Sequence, residues 1–292
     1  MIVDKFNVSP LFIGVKTASL SLDLEYDYGG ENAEALKRFE DLVYWLAVRK
    51  IDLTVFVEGR VLRQQPGIRD LLNQPHIYPA QHCFDHRKSK DARSDIERGR
   101  DLFIEKLGRH PKGYRAHTFQ HSGALIKDLM DLGFEWDSSY LPSWLGYGAK
   151  KDKCLGHILK SGADAIRYQD IESGNVLIEL PVGTLQCFNV PFIHSYQLLI
   201  GKIISGSLQR LFSIQHLHIH DTHMVDLYKA TNSLSNGAVP WLAKLFYLLS
   251  WRGKNNNSLA LLGAFIDRCE SMGWSWCSIE SVNRQLSSSD EH

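Results

Sequence analysis

The chain is poor in the features that mark specialised classes. Its five cysteines (Cys83, Cys154, Cys187, Cys269 and Cys277) are odd in number and irregularly spaced over 292 residues. No CxxC pair occurs, which removes zinc ribbons and thioredoxin-type redox motifs, and so few thiols do not suit a disulfide framework. Neither sign of charge is in surplus, with 33 Lys and Arg against 33 Asp and Glu, so the basic face that nucleic acid requires is not expected. No stretch approaches the roughly 18 uninterrupted apolar residues of a membrane span. The opening "MIVDKFNVSPLFIGVK" lacks the basic start and long apolar run of a secretory leader, so a reducing, cytoplasmic setting is expected. Fixed-period repeats and low-complexity linkers are missing too. A single domain over 1–292 is the simplest expectation, long enough to bury its own core.

What is present is alternation. "VKTASLSLDLE" (15–25) reads as a strand and "NAEALKRFEDLVYWLAVRK" (32–50) as a helix, with Leu36, Phe39, Val43 and Leu46 near a 3.6-residue period. Further strands are expected at 52–59, 77–83, 113–119, 134–140, 175–182 and 213–221. Helices are expected at 91–107 and 123–133, the second ending on Gly133. A closing helix (258–272) and a strand-like "WSWCSIESV" follow. Repeated strand–helix units imply parallel strands joined by right-handed crossovers. About seven of them favour a distorted (β/α) barrel, whose chemistry collects at the C-terminal ends of the strands. Asp23, Glu25, His82, Arg115, Asp137 and His220 all fall at or just after such ends.

"PAQHCFDHRK" (79–88) sets His82 and His86 four apart, a spacing at which two imidazoles can reach one ion, although Cys83 removes the HExxH peptidase reading. "LSLDLEYDYGG" offers Asp23 and Glu25 two apart, on one face of an extended strand. Arg115 stands in an apolar segment, where its permanent charge needs a carboxylate. "HLHIHDTHM" supplies His216, His218, His220 and His223 with Asp221, and alternation puts the first three on one face. That cluster could itself hold a metal, and each residue also has a plain reading as a packed side chain.

Taken in order, the acidic pair, HxxxH, "RA", "DSS", "ELPV" and the late "HIHD" resemble the polysaccharide deacetylases of carbohydrate esterase family four over roughly residues 15–225, with 258–282 as the closing helix and strand. The resemblance implies a barrel hydrolase that cleaves an N-acetyl group with a divalent ion, most simply zinc. It casts Asp23 as general base and Glu25, His82 and His86 as metal ligands. Arg115 would orient Asp23, Asp137 would orient the acid His220, and the Thr118 backbone N–H would serve the oxyanion. The sequence departs from the family's pattern at Leu24, Cys83, Arg87 and His117.

The aromatics Trp136, Tyr140 and Trp144 are candidates for stacking on a sugar. The segment "VPWLAKLFYLLSWRGK" (239–254) reads either as a buried helix or as one lying on a membrane surface, which would suit a lipid-linked sugar. Three readings follow: a metal-dependent N-deacetylase of an amino sugar, a related hydrolase of a non-sugar amide acting without metal, and a non-catalytic carbohydrate-binding barrel.

Overall fold

The computed structural model describes residues 5–27, 30–85, 93–142, 163–185, 190–199, 216–229 and 258–288. Along the chain lie β1 (Phe6–Leu11), β2 (Thr17–Leu24), α1 (Phe39–Arg49), β3 (Leu53–Val57), α2 (Gly59–Gln64), α3 (Ile68–Leu72) and β4 (Ile77–Gln81). Next come α4 (Arg93–Leu107), β5 (Gly113–Tyr114), α5 (Gly123–Asp131), β6 (Trp136–Asp137), β7 (Ala165–Asp170) and β8 (Val176–Glu179). A short pair, β9 (Thr184–Leu185) and β10 (Val190–Pro191), precedes β11 (Leu217–His223), and β12 (Ser275–Trp276) follows later.

Six parallel pairings join seven strands in the order β11, β2, β3, β4, β5, β6, β8. β7 then runs antiparallel to β8, and β1 antiparallel to β7. The two ends of the parallel series meet where the Gly183 N–H, just past β8, donates to the Ile219 carbonyl of β11 at 2.8 Å. A Cβ at Gly183 would lie 2.2 Å from the His218 ring and 2.8 Å from that carbonyl, so only glycine permits the approach. The architecture is a distorted α/β barrel, as the alternation implied.

Every residue of β2 is buried, because both faces are covered. Leu20, Leu22 and Leu24 pack outward with Leu42 and Leu46 of α1 and with Leu262 and Phe265 of the helix Ser258–Ser271. Burying one such leucine contributes about 2 kcal/mol. The intervening Ser21 and Asp23 point into the lumen, where Phe56, Ala80, Trp136, Ile178, Leu180 and Ile219 form a second apolar cluster. Polar groups on the lumen side of β2 therefore sit above an apolar floor.

Three expectations change. The tail residues 279–288, the first four of them within the strand-like stretch, form a helix, and the strand shrinks to Ser275–Trp276. The segment 113–119 is a strand only at Gly113–Tyr114 before a turn with positive φ at Thr118 (52°) and Phe119 (55°). The expected helix over 32–50 starts late, because Asp27 accepts the N–H groups of Glu34, Ala35 and Leu36 and holds the chain in a loop.

Candidate active site

At the C-terminal ends of β2, β5 and β11, four side chains converge from distant parts of the sequence. Arg115 follows directly on β5 and is fully enclosed. Its Nη1 donates to Asp23 Oδ1 at 2.8 Å, to Ser21 Oγ at 3.1 Å and to Asp221 Oδ1. Its Nε and Nη2 donate to the carbonyl and hydroxyl oxygens of Ser138, both at 3.1 Å, and the Phe56 ring lies 3.9 Å beneath the guanidinium carbon. Parallel register puts His223 beside Asp23 and Asp221 beside Ser21. Consequently His223 Nε2 stands 3.6 Å from Asp23 Oδ2, while its Nδ1 faces Asp226 Oδ2 at 3.4 Å. Asp226 is fixed in turn by the Ser195 hydroxyl and the His223 N–H.

These charges set one another. Burial alone would raise Asp23, but Arg115, His82 and His223 outweigh it and hold the carboxyl below the ordinary range. Burial would lower His223, yet Asp226, Asp221 and Asp23 push it well above the ordinary imidazole value. Asp221, raised by burial and by the neighbouring Asp23 charge, reaches about 7 despite Arg115. The site thus holds an ionised carboxylate next to a protonated imidazole. With a side chain 20% exposed, His223 is the most open of the four.

His82 enters the same mouth from the end of β4. Its Nδ1 lies 2.7 Å from the Arg115 carbonyl, so Nδ1 keeps its proton and Nε2 is the ring nitrogen a metal would take. Glu25, one residue past β2, is buried. His86 lies outside the described residues. The turn that leads to it is tied down by Arg60, which pairs with Glu58 at 2.5 Å and Asp85 at 3.2 Å and donates to the Gly30 carbonyl at 2.8 Å. At this rim Asp23, Asp221 and His223 each bring one ligand atom within 4.8 Å of the others, a group able to hold a divalent ion.

Several expected placements differ. His220 does not face the lumen: it pairs in register with Leu20, turns toward the outer helices and stacks on Phe265 at 4.2 Å, beside His218 and His194. Burial first, then the neighbouring His218 and His194, lower it well below the ordinary imidazole value. Asp137 also faces outward, next to Glu179, and does not meet His220. At the mouth, the imidazole backed by a carboxylate is His223, against Asp226. Their HxxD spacing at the end of β11, which runs two residues past the expected end at 221, was a signal available in the sequence. Trp136 is 2% exposed and plugs the lumen edge-on to Phe56 at 5.7 Å, and Tyr140 is 5% exposed against His121, so neither offers a face to a sugar. Trp144 and the segment 239–254 lie outside the described residues. Thr118 occupies the positive-φ turn just after Arg115, a conformation that costs a non-glycine residue about 1 kcal/mol or more and clusters at functional sites.

Solved structures share this arrangement of strands. A protein assigned as a polysaccharide deacetylase in Mycobacterium smegmatis superimposes with a TM-score of 0.60, at 17% identity, over 97% of this chain and 94% of that one. Puue allantoinase follows with a TM-score of 0.57 at 13% identity, over 94% and 93% of the two chains. A protein assigned as a polysaccharide deacetylase of O-antigen biosynthesis in Bordetella bronchiseptica gives 0.53 at 12% identity, over 87% and 90%. The fold is that of the polysaccharide deacetylases. No protein-family model matches the chain, and no curated protein matches it in sequence. Among the described residues of this polysaccharide-deacetylase fold, no helix is long and apolar enough to cross a membrane.

Proposed function

We propose that the protein is a hydrolase that removes an N-acetyl or similar N-acyl group from an amino sugar, in a glycan or a lipid-linked precursor. The observation that carries this reading is the ionised Asp23 held 3.6 Å from the protonated His223 at the mouth of the barrel. Water attacks the acyl carbon as Asp23 takes its proton. His223, oriented by Asp226, delivers its proton to the departing nitrogen, and the products are a carboxylic acid and a free amine. Arg115 keeps Asp23 ionised and aimed. The backbone at Thr118 donates to the oxyanion. A divalent ion held by Glu25, His82 and His86, zinc in the simplest case, would polarise the carbonyl and acidify the attacking water.

Likeness in fold to two proteins assigned as polysaccharide deacetylases supports the choice of an acylated sugar. The test is acetate release from N-acetylated mono- and oligosaccharides by purified protein, with and without added zinc. Release that disappears in Asp23→Asn and His223→Gln supports the reading. Binding of these sugars without turnover turns it toward a non-catalytic carbohydrate-binding barrel.

A second reading, a non-sugar amide as substrate and no metal, is favoured by the likeness to an allantoinase and by Leu24 where the family's usual metal-binding aspartate stands. It predicts turnover of small cyclic or linear ureides that survives exhaustive chelation. A cytoplasmic setting with membrane contact through 239–254 belongs to the first reading, and sedimentation with anionic vesicles checks it.

A further inference from the structure

A second cluster of metal-ligating side chains lies on the outward face of the same sheet, apart from the mouth. Tyr114, Asp137 and Glu179 occupy matching positions on β5, β6 and β8. Asp137 and Glu179 are thus neighbours on adjacent parallel strands, and both are fully buried. Like charges set side by side on a sheet are destabilising, and two enclosed carboxylates without a counter-charge are more so. Arg115, whose charge reaches both carboxyls, is paired on the lumen side with Asp23 and Asp221.

Each carboxylate divides its oxygens in the same way. Asp137 Oδ1 accepts the Ser139 hydroxyl at 2.6 Å, and Glu179 Oε1 accepts the Tyr140 N–H at 3.0 Å. Asp137 Oδ2 and Glu179 Oε2 receive no hydrogen bond from another described side chain or backbone N–H, and the two carboxyls lie within hydrogen-bonding reach of each other. Into this pair comes His121, just ahead of the Ser122 cap of α5, with Nε2 3.6 Å from Glu179 Oε2. One nitrogen and one oxygen from each carboxylate lie within 4.8 Å of one another. Tetrahedral ligands at bond lengths of about 2.0–2.1 Å stand about 3.3 Å apart, so little movement is needed. Holding one oxygen of each carboxylate by the polypeptide while the other points at a common centre is how outer-shell bonds orient metal ligands.

We infer that His121, Asp137 and Glu179 form a buried structural site for a divalent first-row transition ion of the zinc class, distinct from the mouth. An imidazole with two carboxylates suits zinc, and the absence of solvent access argues for a role in stability rather than turnover. The rival occupant is a proton shared by the two carboxyls. Burial, first of all, raises both of them, Asp137 to about 6, as long as no cation neutralises the pair.

Two measurements separate these. Crystals of the full chain grown with zinc and measured across the zinc edge should show anomalous density between His121, Asp137 and Glu179. Density confined to the His82 region overturns the inference and leaves the proposed function intact. In solution, His82→Ala loaded with zinc and desalted should keep about one equivalent by elemental analysis, and the His82→Ala, Glu179→Gln double variant should keep none. A folded His82→Ala protein that retains no zinc, or a double variant that retains as much as the single one, also overturns it. If the double variant does not fold, the anomalous map on the unaltered chain decides.

Discussion

His223 Nε2 stands 3.6 Å from Asp23 Oδ2, and its other ring nitrogen faces Asp226 at 3.4 Å. An imidazole between two carboxylates is held charged and oriented from behind. His220, three residues earlier, has a stacked phenyl ring for a neighbour instead. Exchanging the two histidines one at a time therefore gives unequal results. His223→Gln should lower kcat by about 100- to 10,000-fold, the range for losing a positioned acid, with little change in KM. His220→Phe should leave kcat within a few-fold and alter thermal stability alone. Steady-state kinetics on the same substrate for both variants checks the assignment, and equal losses in kcat would falsify it.

The pH profile follows from the same pair. Activity requires Asp23 ionised and His223 protonated. Asp23 is held below the ordinary carboxylate range, so the acid limb lies below about pH 4. His223 is held well above the ordinary imidazole value, so the alkaline limb lies above about pH 6.5. A bell with a broad plateau is expected in kcat/KM, and His223→Gln should erase its alkaline limb. An alkaline limb that persists in that variant assigns the proton to another group.

Much of this site was legible in the sequence. Alternation with helical segments gave the parallel strands, and strand ends gave Asp23, His82 and Arg115 at one mouth. Alternation also put His218 and His220 on a common face, but not on which side of the sheet. A barrel strand is buried on both faces, so apolarity does not tell lumen from helix layer. Only the register of β11 on β2, and its extension to His223, resolves that question. β1 and β7 escaped notice because they are antiparallel additions, and β1 has three exposed positions, Pro10 among them, as a sheet edge does. The strand-like reading of 274–282 failed for a local reason. "WSWC" alternates, but Ser278 then accepts the Ser281 N–H and starts a helix.

Arg115 neutralises two buried carboxylates, and breaking such a cluster from one side costs about 3–5 kcal/mol. Arg115→Met should lower the unfolding free energy by that order and abolish turnover, because Asp23 then takes up a proton in its apolar surroundings. Adding Asp221→Asn removes one of the two buried carboxyls left without the guanidinium and should recover part of the stability without recovering activity. Urea unfolding of the single and double variants measures the coupling. Purely additive losses would mean that the three groups do not act as one network.

The outward histidines make the fold acid-sensitive. His218 is pushed down to about 3 by burial, and His220 is lowered as well, first by burial and then by its imidazole neighbours. Below the unfolded value near 6.5 the open chain binds these protons and the folded chain does not, so stability is complete above that pH and falls as pH drops toward about 3. For His218 alone the loss is on the order of 5 kcal/mol once titration is complete. His218→Leu keeps an apolar contact with Phe265 and removes the proton acceptor, so its unfolding free energy should decline less steeply between pH 6.5 and pH 4 than that of the unaltered chain. Chemical denaturation at half-unit steps reads the slope directly. Parallel curves for the two proteins would show that His218 is already protonated in the folded state, which its enclosure by Phe265 and the Gly183 backbone argues against.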